Sequence, residues 1–194
     1  MAKVTTMDEL FLDELRDLYD AEKQLTKALP KMAKAATSDE LREAFENHLA
    51  ETQNQVGRLE QIFEMLGEKG TGKKCAAMAG LIKEGEELVG ETDGTAVRDA
   101  GLIAAAQKVE HYEMSGYGSA RTHADLLGHT EAVSLLEETL NEEKQADKKL
   151  NDIAEEMVNE DAVNDAGGNQ GGKSRKSTGS AQSSRPRTRT AGGH

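Results

Sequence analysis

The chain has few of the residues that build disulfide-rich, membrane-spanning or β-sheet proteins. Its 194 residues include one cysteine, two prolines, no tryptophan and only 3% aromatic residues. The single cysteine, Cys75, excludes an intrachain disulfide. The first residues contain no apolar run that resembles a signal peptide or a membrane span. We therefore expect a cytoplasmic protein that does not bind membranes.

Basic residues are scarce except near the end of the chain. Lysine and arginine number 24 against 36 aspartates and glutamates, which gives a formal net charge of −12. Residues 171–194 contain six Lys/Arg and no Asp/Glu, so all of the acidic residues precede them. An acidic body repels nucleic acids and anionic membranes, which excludes both as partners of the folded part.

The abundant residues are Ala, Glu, Leu and Lys, which favour helices over strands. Thr6 with Glu9 and Thr37 with Glu40 form capping-box patterns at the starts of two helices. Pro30 predicts a kink or an end in the first of these helices. Helix start and stop signals together predict helices at about 7–36, 38–66, 76–89, 95–127 and 130–160.

The lengths of the connections predict the topology. The first two predicted helices are separated by almost nothing, so they must be antiparallel neighbours, whereas a long segment separates the second and third long helices. The predicted fold is all-α: a ferritin-like four-helix bundle of two antiparallel hairpins joined by a long crossover with a short fifth helix. Residues 1–162 form this bundle, and residues 163–194, with almost no apolar side chains, are predicted to be a disordered basic tail.

Acidic residues interrupt the apolar seams of the predicted bundle. Positions spaced three and four apart on a helix face the bundle axis. The seam of the first helix contains Glu22, that of the third contains Glu110 and Glu113, and that of the fourth contains Glu143 and Asp147. In the second helix the polar seam positions are His48, Glu51 or Thr52, and Gln55.

Carboxylates that face one another in a core need a counter-charge. Two of them about 4 Å apart repel by roughly 4 kcal/mol at an effective dielectric constant near 20. The predicted seams contain no lysine or arginine, which leaves protons or metal cations, and oxygen-rich ligand sets suit iron and manganese. The alternative is that the seams are rotated and the acids form a solvated face.

Three long runs of sequence resemble the YciE/YciF type of ferritin-like stress proteins. They are DELRDLYDAEKQL at 13–25, GLIKEGEEL at 80–88 and AAAQKVEHYE at 104–113, within a resemblance that covers about residues 7–160. The resemblance implies a helical bundle with a rubrerythrin-like site for two iron ions, or alternatively manganese, and an association with stress responses.

The resemblance also implies ligand roles for five glutamates. Glu22 matches the single ligand of the first helix, Glu51 and Glu143 match the bridging glutamates of the second and fourth helices, and Glu110 and Glu113 match the pair on the third.

The pattern departs from that of di-iron carboxylate proteins at two positions. Asn54 and Ala146 stand three residues after Glu51 and Glu143, where such proteins usually carry histidines. His48, Gln55 and Asp147 are possible additional ligands. Alternatively, His48 is a histidine at the edge of the core that is hydrogen-bonded to a neighbour.

Two further side chains lie close to the predicted seams in sequence. Tyr117, one turn beyond Glu113, either donates a hydrogen bond to the site or only packs in the core. Cys75 follows Lys73 and Lys74 in a predicted loop, and these charges predict a lowered pKa for its thiol.

Three functions of different classes are consistent with the sequence. The first is a dinuclear oxidoreductase that oxidises Fe(II) or reduces peroxide. The second is a non-catalytic stress bundle with structural metal or none. The third is a DNA-associated protector that acts through the basic tail, for which we expect weak and non-specific binding or none, because the tail has no aromatic residues. We expect a homodimer, because no long apolar surface run marks a cage interface.

Overall fold

The structure, a computed structural model, describes residues 3–168. Within that range it contains helices and no strands, which confirms the all-α prediction. A π-helical turn, Ala154–Val158, joins the last two helices. The helices are α1 Met7–Ala35, α2 Asp39–Leu66, α3 Ala76–Glu91, α4 Ala96–Leu126, α5 Thr130–Ile153 and α6 Asn159–Gly168. None of the described helices is long and apolar enough to cross a membrane.

The four long helices form a square bundle. α1 packs against α2, α4 packs against α5, and the two hairpins meet where α2 contacts α5 and α1 contacts α4. The pair Glu40–Lys149 joins the start of α2 to the end of α5, and Arg58–Glu138 joins a later turn of α2 to an earlier turn of α5, so these helices are antiparallel. α4 is antiparallel to α5 as well, and therefore α2 and α4 run in the same direction.

That shared direction requires the long crossover that the sequence predicts. The crossover contains α3, which packs against α1 and α4 along the outside of the bundle. The ferritin-like arrangement of two antiparallel hairpins, with a short fifth helix between them, is therefore confirmed.

The predicted capping box at Thr6 and Glu9 is present. The hydroxyl of Thr6 accepts a hydrogen bond from the backbone N–H of Glu9, and the Glu9 carboxylate accepts one from the backbone N–H of Thr6. Gly67 ends α2 with a φ of 67°, as the sequence predicts, because a left-handed conformation strains residues that carry a Cβ.

The capping box predicted at Thr37 and Glu40 is wrong, because Ser38 is the N-cap of α2. Asp99, at the start of α4, instead accepts hydrogen bonds from the backbone N–H groups of Thr37 and Ser38 at 2.8 and 2.7 Å, and from the Thr37 hydroxyl. This buried carboxylate fastens the turn between α1 and α2 to the second hairpin.

The first helix matches its predicted bounds to one residue, whereas the last helix extends further than predicted. α1 continues through Pro30 to Ala35, so the proline does not end the helix. The last helix extends to Gly168, beyond the predicted start of the tail at residue 163, and Val158 is buried in the core. The rest of the predicted tail, with its six basic residues, lies outside the described residues.

The apolar core is divided into two clusters. One contains Leu25, Phe45, Ile103 and Leu150, and the other contains Phe11, Leu59, Leu136 and their neighbours. On every long helix a polar residue lies between the two clusters. We call this level, formed by Glu22, His48, Thr52, Gln55, Glu110, Glu113 and Glu143, the polar layer.

Candidate metal centre

All four long helices place side chains in the polar layer. Glu22 lies on α1, His48 on α2, Glu110 and Glu113 on α4, and Glu143 on α5. The four glutamates are at most 2% exposed and His48 is 6% exposed. The alternative in which the acids form a solvated face is therefore wrong for these four, which point into the bundle.

Four of these side chains form a compact group of possible metal ligands. One ligand atom from each of His48, Glu110, Glu113 and Glu143 lies within 4.8 Å of the others. The His48 Nε2 atom is 3.5 Å from Glu110 Oε1 and 3.7 Å from Glu143 Oε2. Glu110 and Glu113 are one turn apart on α4, so helical geometry directs both toward the same point.

Glu22 lies beside this group and is fully buried. Its Oε1 atom accepts a hydrogen bond of 2.5 Å from the Tyr117 hydroxyl, and its Oε2 atom has no hydrogen-bond partner. Tyr117 is itself fully buried in the second apolar cluster. The tyrosine therefore both packs in the core and holds one carboxylate of the polar layer.

The structure does not bring Glu51 into the four-residue group. The buried seam of α2 runs through Thr52, while the Glu51 side chain is 47% exposed at the edge of the bundle. Its carboxylate lies 3.2 Å from His48 Nδ1, so it contacts one imidazole nitrogen while the other faces the group. A role of Glu51 as a metal ligand stays a prediction.

Gln55 and Asp147 also lie outside the group. Gln55 is buried, and its amide donates to Glu142 at 3.1 Å while its Oε1 atom has no partner. Asp147 is half-buried; its Oδ1 atom lies 3.3 Å from the amide nitrogen of Gln107 and 3.3 Å from His111 Nε2. Roles of these two residues as additional ligands stay predictions.

Unpaired polar atoms concentrate in the polar layer. Eight buried side-chain atoms in the described part of the chain lack a hydrogen-bond partner, and every one belongs to this layer. They include both carboxylate oxygens of Glu113 and of Glu143. An unpaired buried polar atom costs about 1 to 3 kcal/mol, and more when it is charged, so this concentration needs a compensating ligand or protons.

Burial shifts the acid–base properties of every glutamate in the layer. Desolvation, followed by the charge of Glu143, raises the pKa of Glu22 to about 8. Desolvation also raises the pKa of Glu110 to about 8, and it raises those of Glu113 and Glu143 well above 4.5. In the absence of a cation these carboxyls therefore retain protons near neutral pH, and a metal ion would displace them.

His48 shows two opposing effects. Burial lowers its pKa, but the hydrogen bond to Glu51 and the charges of Glu143 and Glu22 together raise it by more. The net result is a pKa above the usual 6.5. Metal binding requires the neutral imidazole, and a bound cation would replace the proton that the carboxylates favour.

Basic side chains do not neutralise the layer. The buried charged and polar residues in the described part of the chain include no lysine or arginine. Arg58 lies nearby, but its guanidinium donates to Glu142 and Glu138 at 2.6 Å. The carboxylates of the group are therefore left for protons or metal ions.

The donor set fits a metal site of the predicted kind. It offers carboxylate oxygens and one imidazole from three helices, with Glu22 of the fourth alongside, and it contains no thiolate. Oxygen-rich sets with imidazole suit iron and manganese, whereas thiolate sets favour zinc, copper(I) and iron–sulfur clusters.

The environment of Cys75 corrects a sequence-based prediction. The thiol is buried at the start of α3, and burial raises its pKa, contrary to the lowered value that its lysine neighbours suggest. Lys73 is not directed at the sulfur, because it pairs with Asp13 at 2.5 Å and with Asp17 at 3.4 Å. The Cys75 sulfur lies 2.9 Å from the Tyr112 hydroxyl, which in turn donates to Asp17 at 2.6 Å.

The fold and the polar layer together define a ferritin-like helical bundle with a candidate carboxylate–histidine metal centre. Residues 6–163 match the family described as "Domain of unknown function (DUF892)". Since this match covers most of the chain, the protein belongs to that family.

Known proteins support the same classification. The chain is 49% identical over 162 residues to Protein YciF of Escherichia coli K12, covering 83% of this chain and 98% of that protein. The crystal structure of the E. coli stress protein YciF matches with a TM-score of 0.75 at 45% identity, over 84% of this chain and 99% of that one.

A second solved structure, YcfI from Rhodopseudomonas palustris, matches with a TM-score of 0.74 at 49% identity, over 77% of this chain and 95% of that one. The resemblance to YciF-type proteins that the three sequence runs carry is therefore confirmed.

Proposed function

We propose that the protein binds two iron ions, or alternatively two manganese ions, in the polar layer and uses them to oxidise Fe(II) or to reduce peroxide. The observation that carries this proposal is the concentration of unpaired buried ligand atoms at one level of the bundle. Protons alone could neutralise the carboxylates, but each proton gives a single donor, whereas one metal ion binds several oxygen atoms at once.

The four-residue group would supply most of the ligands. His48, Glu110, Glu113 and Glu143 offer four ligand atoms close enough to share one ion, and their remaining carboxylate oxygens are available to a second. Glu22 lies beside the group with one free oxygen, so it would bind the second ion.

When bound, a pair of such ions can divide a two-electron change between them. The chain itself contributes position and burial. Tyr117 holds Glu22 in place through its hydroxyl, and apolar clusters pack against the layer from both ends of the bundle. A low local dielectric strengthens the attraction between the carboxylates and any cation.

Metal content measured by mass spectrometry tests this proposal. The protein is loaded with Fe(II) or Mn(II) without oxygen and desalted, and wild type is compared with Glu113→Gln and Glu143→Gln, which keep side-chain shape. Glu46→Gln, at an exposed position on α2, is the control. We expect about two ions per chain in wild type and the control and fewer in both site variants. Wild type without retained metal would refute the proposal.

A non-catalytic stress bundle is the second candidate function. The observation in its favour is that Asn54 and Ala146 replace the histidines of di-iron proteins, and the similar E. coli protein is described as a stress protein. Oxygen and peroxide consumption by the metal-loaded protein separates the two functions. Retained metal without turnover would favour this second candidate. The homodimer and binding of DNA by the basic tail stay predictions.

A further inference from the structure

A cavity of about 670 Å³ lies between α2 and α5 and reaches the candidate metal centre. Its inner wall includes His48 and Glu110, two of the four grouped side chains. The His48 Nε2 atom and the Glu110 Oε2 atom are buried and have no hydrogen-bond partner. The α2–α5 cavity therefore reaches two side chains of the group from the surface of the bundle, and their unpaired ligand atoms lie buried behind its inner wall.

The lining of the α2–α5 cavity is strongly acidic. Four acidic residues of α2 line it besides Glu110, and Lys149 is its one lysine or arginine among the described residues; the four are Asp39, Glu40, Glu43 and Glu51. Glu43 is exposed on α2, and Glu51 is half-buried beside His48. Such a lining concentrates cations and repels anions, and narrow low-dielectric walls strengthen the effect.

Two features of α5 shape the opening. Ala146 lines the cavity, so the methyl group that stands where di-iron proteins usually have histidine leaves space next to the site. One turn further, Lys149 forms an ion pair with Glu40 of α2, and this pair lies across the cavity wall between the two helices.

We propose that the α2–α5 cavity is the route by which divalent metal cations enter the site, with Glu43 increasing and Lys149 reducing the rate of entry. This inference rests on the proposed metal site, but it concerns the rate of uptake rather than the number of ions held. The cations approach along the carboxylates of α2 and reach His48 and Glu110 first.

Rapid mixing of the metal-free full-length protein with Co(II) tests the route, because the absorbance of bound Co(II) reports binding without requiring turnover. Charge neutralisation about 8 to 10 Å from a divalent ion changes the rate by about three- to fivefold. We expect Glu43→Gln to slow the uptake by about that factor and Lys149→Gln to accelerate it by about that factor. The final absorbance should equal that of wild type in both variants.

Matched controls separate a local effect from net charge. Glu46→Gln on α2 and Lys148→Gln on α5 make the same changes in charge at exposed positions outside the cavity lining, and their rates should stay near wild type. In about 0.5 M salt, where the screening length falls to about 4 Å, the differences among all the variants should shrink.

The outcomes distinguish the two proposals. Equal rates in Glu43→Gln and Glu46→Gln, with about two ions still bound per chain, would overturn the entry route and leave the metal site intact. Wild type that binds no Co(II), Fe(II) or Mn(II) would overturn both.

Discussion

Replacing Glu22 by glutamine should stabilise the metal-free protein at neutral pH. Glu22 is fully buried, and desolvation and the charge of Glu143 raise its pKa from 4.5 to about 8. A carboxyl whose pKa is higher in the folded state binds its proton more tightly there. Its contribution to stability is therefore complete below about pH 4.5 and is lost as the pH rises toward about 8.

The size of the stabilisation follows from the pH interval over which ionisation of Glu22 lowers the free energy of unfolding. From 4.5 to about pH 7 is roughly 2.5 pH units at 1.36 kcal/mol each, or about 3 kcal/mol. Glutamine does not titrate, and its carbonyl oxygen can still accept the hydrogen bond from Tyr117. Glu22→Gln should therefore unfold with a free energy about 3 kcal/mol higher than wild type at about pH 7, and with nearly the same free energy at about pH 4.

Urea denaturation of the chelator-treated proteins at several pH values measures this difference, with Glu46→Gln as the surface control. Fe(II) or Mn(II) added without oxygen should reverse the order, because the variant has lost a candidate ligand and the wild type gains more from binding. A variant that is no more stable than wild type at about pH 7 would show that the layer already tolerates the ionised carboxylate.

Three other predictions concern the remaining parts of the structure. Asp99→Ala should lower the free energy of unfolding by about 3 kcal/mol, because it removes a buried acceptor of three hydrogen bonds. The amount of bound metal should not change. A loss below about 1 kcal/mol in chemical denaturation would contradict this role. Tyr117→Phe should cost the metal-free protein about 1 to 2 kcal/mol by leaving Glu22 without its donor, and equal unfolding midpoints for wild type and variant would argue against that contact. Removing metal by chelation should lower the melting temperature of wild type by about 5 to 10 °C if the ion was present at about 100 times its dissociation constant. Glu143→Gln, which lacks a candidate ligand, is measured beside it for comparison. An unchanged melting temperature for wild type would count against a bound ion.

The sequence predicts the burial of Glu22, Glu110, Glu113 and Glu143, because their seams are otherwise largely apolar, but it also predicts an inward position for Asp147, which is only half-buried. Glu22 falls between Leu18 and Leu25, and Glu143 falls between Leu140 and Leu150, so the spacing fixes the direction of each side chain. In α2 the neighbours of Glu51 are themselves polar, and periodicity cannot separate Glu51 from Thr52. The packing of α2 against α5 buries Thr52 and leaves Glu51 at the edge of the bundle.

Tertiary contacts decide the features that the sequence did not indicate. Asp99 looks like an ordinary acidic residue in the first turn of a helix, and its partners at the turn between α1 and α2 are about 60 residues away in sequence. The participation of His48 in the four-residue group depends on how α2 packs against α4 and α5. The last residues of α6, from 163 onward, include few apolar side chains, so composition alone predicted that they belong to the tail.

The α2–α5 cavity has little signature in the sequence. Four of its acidic residues lie on α2 among others that face solvent, and only the packing of α2 against α4 and α5 brings them to the same cavity as Glu110 and Lys149. The one sequence signal was Ala146, at the position where a histidine was expected.

Anomalous diffraction from crystals loaded with Fe(II) or Mn(II), recorded above and below the absorption edge of the metal, tests the candidate metal centre most directly. We expect two anomalous peaks in the polar layer, in contact with His48, Glu110, Glu113 and Glu143 and with one of them beside Glu22. An empty layer, or peaks found only on the protein surface, would contradict the metal site and leave protonated glutamates in its place.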